Sequence, residues 1–124
     1  MSEVTDRNKA LMHRVYEEMW NRAKAEVARD IFDRPSGVER FVSQFLLSFP
    51  DLQHTVEAMI AEGGQVAVRF VARGTHRGQW LEVAPTNRVV HYSGVTWAHI
   101  VDARIVEHHT WWDQAGLIEQ LRRG

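Results

Sequence analysis

At Pro50 the hydrophobic period of this chain changes from three or four residues to two, and that switch restricts the fold more than any other feature. Upstream, Leu11, Met12, Val15, Tyr16, Met19, Trp20 and Ala23 recur at helical spacing. They predict a first helix, capped by Thr5 or Asp6 and fading near Arg29. Pro35-Ser36-Gly37 starts a second helix, expected to bury Val38, Phe41, Val42, Phe45 and Leu46 and to stop before Pro50. Downstream, Gln53–Ile60 reads as a strand, and Gly63-Gly64 tolerates the positive φ of a tight hairpin. A long strand over Gln65–His76 follows, with Val66, Val68, Phe70 and Ala72 on one face. A loop over Arg77–Asn87 leads to two last strands, Arg88–Val101 and Arg104–Trp112. Asp113 then stands at a helix N-cap ahead of Leu117, Ile118 and Leu121. Helices followed by consecutive antiparallel strands predict an α+β fold, with helices packed on one face of a curved sheet.

A chain of 124 residues has the length of one domain with one core, spanning 1–124. Its formal charge is −1, and no Lys/Arg block exists beyond Arg122-Arg123, which argues against nucleic acid or an anionic membrane as the main partner. With no Cys, disulfides, thiolate catalysis and Cys-based zinc sites are excluded. No apolar run approaches membrane-spanning length, and the polar start Met-Ser-Glu-Val-Thr-Asp-Arg lacks the apolar stretch of a signal peptide. A soluble cytoplasmic protein is the expectation.

The last hairpin allows a finer reading. Strand alternation places Val106, His108, Thr110 and Trp112 on one face, and Ile105, Glu107, His109, Trp111 and Asp113 on the other. Both faces mix aromatics with titratable or hydroxyl groups, so both read as covered, where a pocket or a subunit contact could use them. A three-residue loop, Asp102-Ala103-Arg104, would let Val101 face Ile105 and set Thr96 opposite Thr110, Ala98 opposite His108 and Gly94 opposite Trp112. The reverse face would pair His99 with Glu107, Trp97 with His109 and Val95 with Trp111. A slip of one residue would reshuffle every pair. The first face is small and hydroxylated around Thr96 and Thr110; the second is broad and aromatic and suits a subunit interface.

Seven histidines raise the question of a metal. His108 and His109 are adjacent on a strand and point to opposite faces, and His91 and His99 stand roughly 26 Å apart at strand rise. A metal site would require a cross-strand cluster, and none is expected. Asp113 could be a catalytic carboxylate, but its place before a short helix favours capping. His76 suits either a pocket mouth or a surface turn. The spacing of Trp20, Phe41, Phe45 and Phe70 first means core, and only their number around a curved sheet hints at a cavity lined by aromatics.

Several short motifs recur in order along the chain: Tyr16-Glu17-Glu18-Met19-Trp20-Asn21, Phe49-Pro50-Asp51-Leu52, Ala61-Glu62-Gly63, Gly74-Thr75-His76-Arg77-Gly78, Ala84-Pro85-Thr86, Ile100-Val101-Asp102-Ala103-Arg104-Ile105-Val106-Glu107-His108 and Gln120-Leu121. Together they resemble the SnoaL-like polyketide cyclase family over nearly the whole chain. The resemblance implies a nuclear-transport-factor-2-like cone, in which a curved antiparallel sheet wraps a hydrophobic pocket and dimers form through the outer face of the sheet. It also implies ring closure by intramolecular aldol chemistry, without metal or cofactor. Relatives on the same cone include hydroxylases, isomerases, epoxide hydrolases and pure binding proteins, so the fold alone does not assign the reaction.

In ring-closing members an aspartate on the last strand acts as acid/base near a histidine on the preceding strand. Those positions fall on Thr110 and Thr96 here. A threonine hydroxyl does not titrate near neutrality and cannot replace a carboxylate as general base. His108 is the nearest titratable group on that face and exchanges protons near pH 7, although the family often carries histidine there and a structural role is equally open. The expected site therefore has His108 as proton carrier, hydrogen bonds from Thr96 and Thr110, and a cavity shaped by Trp20, Phe41 and Trp112, the first two at pocket-lining positions of the family. A hydrophobic, carbonyl-bearing small molecule is the expected substrate, and a homodimer the expected assembly; the alternative is a ligand-binding dimer without catalysis. Two further departures concern backbone. Arg29–Pro35 is shortened where relatives roof the pocket, and Ala103 and Asn87 stand where turn glycines are usual.

Overall fold

The computed structural model describes residues 2–123. Helix α1 (Glu3–Arg14) is capped by Ser2, whose Oγ accepts the Thr5 N–H at 3.2 Å, so the cap precedes the expected Thr5 or Asp6. The helix widens into a π-helical stretch, Val15–Trp20, and breaks near Ala23, which takes φ +55°. A 3₁₀ turn, Ala25–Val27, leads into the short α2 (Ala28–Ile31). Pro35, with no N–H to leave unpaired, opens α3 (Pro35–Ser48), which ends ahead of Pro50. α3 turns Val42 and Phe45 into the core, but Phe41, expected to be buried, is 55% exposed.

Four strands follow: β1 (Gln53–Glu62), β2 (Gln65–Thr75), β3 (Val89–Val101) and β4 (Arg104–Trp112), antiparallel in the order β1-β2-β3-β4. The closing helix α4 (Gln114–Arg122) is capped by Asp113, whose Oδ1 accepts the Gly116 N–H at 2.9 Å; this carboxylate is a cap. Helices and the inner face of the curved sheet share one core, to which Val66, Val68, Phe70 and Ala72 of β2 contribute. This is the α+β arrangement expected. No helix among the described residues is long and apolar enough to cross a membrane.

The β3–β4 hairpin keeps the expected pairs from Gly94↔Trp112 to His99↔Glu107, with Thr96 opposite Thr110. Its turn differs. Val101 pairs with Arg104 across a two-residue Asp102-Ala103 turn, both residues at positive φ (49° and 62°), as a right-handed twist between strands demands. The residue saved in the turn is returned by a bulge at Val106. Ile105 therefore faces the core and Val106 faces out, the reverse of simple alternation. Asn87 also adopts the left-handed region, at φ 59°.

Candidate functional site

A cavity of about 620 Å³ opens between the helices and the inner face of the sheet. The π-helical stretch supplies Tyr16, Met19 and Trp20; α3 supplies Phe41, Val42 and Phe45; the strands supply His54, Phe70, Tyr92 and Thr96; and β4 adds His108, Thr110 and Trp112. All six residues singled out in the sequence, namely His108, Trp20, Phe41, Thr96, Thr110 and Trp112, line this cavity. Gly94 makes the aromatic side possible: a Cβ there would lie 2.7 Å from the Phe70 ring and 2.8 Å from Trp112 Cβ. The segment Arg29–Pro35 still helps enclose the space. Phe32 bridges to Ile105, the Asp33 N–H donates to the Ile105 carbonyl at 3.1 Å, and Phe32 and Arg34 line the cavity.

A line of hydroxyls crosses this apolar wall. The Tyr16 phenol donates to Thr96 Oγ1 at 2.7 Å, and Thr96 Oγ1 lies 2.8 Å from Thr110 Oγ1. Tyr16 and Thr96 are buried, whereas Thr110 is exposed toward open space. Burial pushes the Tyr16 pKa up to about 12 despite its bond to Thr96, so the phenol keeps its proton. His108, two residues before Thr110 and on the same face, has its ring 5.0 Å from that of Phe32. Burial lowers its pKa and neighbouring His109 adds to this, while Asp33 opposes. A neutral imidazole, ready to accept a proton, is the form this favours near pH 7.

These features match a known family. Its model, SnoaL-like polyketide cyclase, covers residues 10–121. The chain belongs to the SnoaL-like polyketide cyclase family. No curated protein gives a significant match. Among solved structures, a protein from Jannaschia sp. CCS1, provisionally named a SnoaL-like polyketide cyclase, superposes with a TM-score of 0.91 at 20% identity, covering 100% of this chain and 97% of that one. AclR from Streptomyces galilaeus, provisionally named a hydroxylase, has a TM-score of 0.87 and 26% identity over 94% of this chain and 82% of its own. IdmH from Streptomyces antibioticus, provisionally named a polyketide cyclase, has a TM-score of 0.78 and 28% identity over 92% and 97%.

This SnoaL-like cavity contains polar residues that sequence reading passed over. Tyr16 was assigned to the core stripe, and nothing in its spacing shows that its hydroxyl ends on a threonine 80 residues away. His54 and Tyr92 also line the space. Burial lowers the His54 pKa to about 4 and raises that of Tyr92, with Tyr16 adding to the latter. Their inward direction on β1 and β3 was a usable signal, since His54 and Tyr92 fall on the strand face that carries Phe70. His76, expected at a pocket mouth or on a surface turn, is 0% exposed and occupies neither place. Its Nδ1 accepts the Thr86 N–H at 3.2 Å and its ring lies against Phe49, pinning the loop after β2. Among the described residues, no group of three or more His, Cys, Asp or Glu is placed to hold a metal ion.

Proposed function

We propose that this protein is a cofactor-independent cyclase or isomerase acting on a hydrophobic, carbonyl-bearing, polyketide-like substrate. The observation that carries the reading is the line of hydroxyls, Tyr16 to Thr96 to Thr110, in an otherwise apolar cavity. Tyr16 donates to Thr96 Oγ1, and Thr96 and Thr110 share a further bond; with Thr96 as its donor, the Thr110 O–H would be left free for a ligand in the cavity. A ligand carbonyl placed there would receive a donor held in position before reaction, suited to the negative charge that builds on oxygen during enolisation. His108 on the same face would remove a proton from the adjacent carbon. The resulting enolate would form a carbon–carbon bond to a second carbonyl, or be reprotonated at another carbon, and the protonated imidazole would return its proton to the product. Thr96 and Thr110 would thus replace the family's acid/base couple with a polarising one, and the apolar walls of Trp20, Phe41 and Trp112 would hold the chain folded for attack.

His108→Gln tests the reading. Turnover of a carbonyl-bearing aromatic polyketide should fall by roughly a hundredfold or more while ligand affinity changes little. Unchanged turnover would remove His108 from the chemistry. One observation favours ligand binding without catalysis as a second reading: Thr96 and Thr110 already bond to each other at 2.8 Å, a resting arrangement that requires no proton movement. Native mass spectrometry of the purified protein, searching for a retained small molecule, would supply the substrate for either case. The proposal includes a homodimer through the outer sheet face, where Trp111 is 62% exposed and the Trp97 and His109 rings stack at 5.8 Å. Trp111→Glu should then shift the protein to monomer in sedimentation experiments.

A further inference from the structure

His54 holds an aromatic imidazole at the inner wall of the cavity, on the edge strand β1, only 7% exposed. Its ring centre lies 5.1 Å from Trp20, 5.2 Å from Phe70, 5.4 Å from Tyr16 and 6.2 Å from Tyr92. The backbone beneath it is clamped. Its N–H donates to Asn21 Oδ1 at 2.6 Å, and Asn21 Nδ2 donates to its carbonyl at 2.9 Å. With the backbone held and the ring packed among four aromatic rings, its freedom to turn away is small. Its Nδ1 is sealed from solvent with no hydrogen-bond partner, which leaves Nε2 as the ring nitrogen on the open side. A buried polar atom without a partner costs about 1–3 kcal/mol, and an aliphatic side chain at this position would avoid that cost.

The surrounding rings favour one tautomer. Aromatic faces are electron-rich, so a sealed nitrogen among them is better placed as N–H than as a lone pair. With the proton on Nδ1, the Nε2 lone pair would face the cavity. Burial lowers the His54 pKa to about 4, so that lone pair stays available at neutral pH.

We infer that His54 determines specificity at the inner end of the cavity, accepting at Nε2 a hydrogen bond from a phenolic or enolic hydroxyl on a ligand ring packed among Trp20, Phe70 and Tyr92. This rests on the cavity being a ligand site, and on neither His108 nor any catalysis. The hydroxyl end of the ligand enters first, and any carbonyl is left toward Thr110.

Calorimetric titration with 2-naphthol and 2-methoxynaphthalene tests it, because the two share an aromatic body and differ in one donor. The wild-type protein should bind 2-naphthol roughly tenfold more tightly, the worth of one buried hydrogen bond. His54→Phe should keep its affinity for 2-methoxynaphthalene and lose the preference. A preference that survives in His54→Phe overturns the assignment. If the variant does not fold, ¹⁵N-histidine spectra of the wild type decide the matter: His54 Nε2 should appear unprotonated and move on addition of 2-naphthol but not of 2-methoxynaphthalene. A protonated Nε2, or no movement, overturns it. If both probes bind the wild type equally, only the role of His54 falls. If neither binds, the ligand-site reading falls with it.

Discussion

A phenol with its pKa raised by burial, next to two threonines, is a donor that cannot easily be drained, and this sets what single substitutions should do. Tyr16→Phe removes the 2.7 Å bond to Thr96 while keeping the ring among His54 and Phe70. Stability in urea should fall by about 1 kcal/mol. If the hydroxyl line polarises a carbonyl, turnover should fall more than affinity does. Thr110→Asp with Thr96→His asks the converse. The expected outcome is a gain of aldol cyclase activity, measured on an aromatic polyketide ester, because the same wall would then carry an ionisable couple. At this scale the inward-facing strand residues were legible from alternation. It hid Tyr16, because a helix stripe does not distinguish a ring that only packs from one whose hydroxyl is also bonded.

The elements show a different balance. The β3–β4 pairing was readable because hydrophobic alternation fixes register when one face is buried. The turn was not, since a three-residue loop and a two-residue turn followed by a bulge give the same pairs from His99 onward. The two-residue turn strains Ala103, an L-residue with a Cβ held at φ 62°. Ala103→Gly should therefore stabilise the protein by about 0.5–1 kcal/mol and raise Tm by a few degrees, read by thermal unfolding. The π-helical form of Val15–Trp20 was likewise invisible, although the residues of this stretch that line the cavity, Tyr16, Met19 and Trp20 among them, keep the spacing of one helix face. Most of the motifs that made the family recognisable are scaffold bonds. Asp51 accepts from the backbone N–H and hydroxyl of Thr75 at 2.7 Å, and Gln120 clamps the backbone of His91 from both sides.

For the whole molecule, the buried imidazoles of His54 and His76, with the partly desolvated His108, set the response to acid. His54, His76 and His108 all have pKa values lowered first by burial. For His54 the folded value is about 4 against an ordinary 6.5. Between those two pH values the unfolded chain binds a proton that the folded chain does not, so stability rises with pH across the interval and is lost as pH falls through it. The His54 contribution is on the order of 3 kcal/mol. Urea midpoints should drop between pH 7 and pH 5, and His54→Phe should flatten that slope. An unchanged slope would mean that His54 is protonated in the folded state.

Local periodicity determined the main helices, the strands and, apart from the bulge at Val106 and the exposed Phe41, the face each turns inward, because burying one face is a decision each segment makes with its own residues. Which polar groups meet inside was decided by tertiary structure alone. Tyr16, His54, Thr96 and Thr110 come from a helix and three different strands, and only the packing of the helices on the curved sheet brings them to one cavity. The bonds that join Tyr16, Thr96 and Thr110 span up to 80 residues of chain, a distance over which no repeat in sequence carries information.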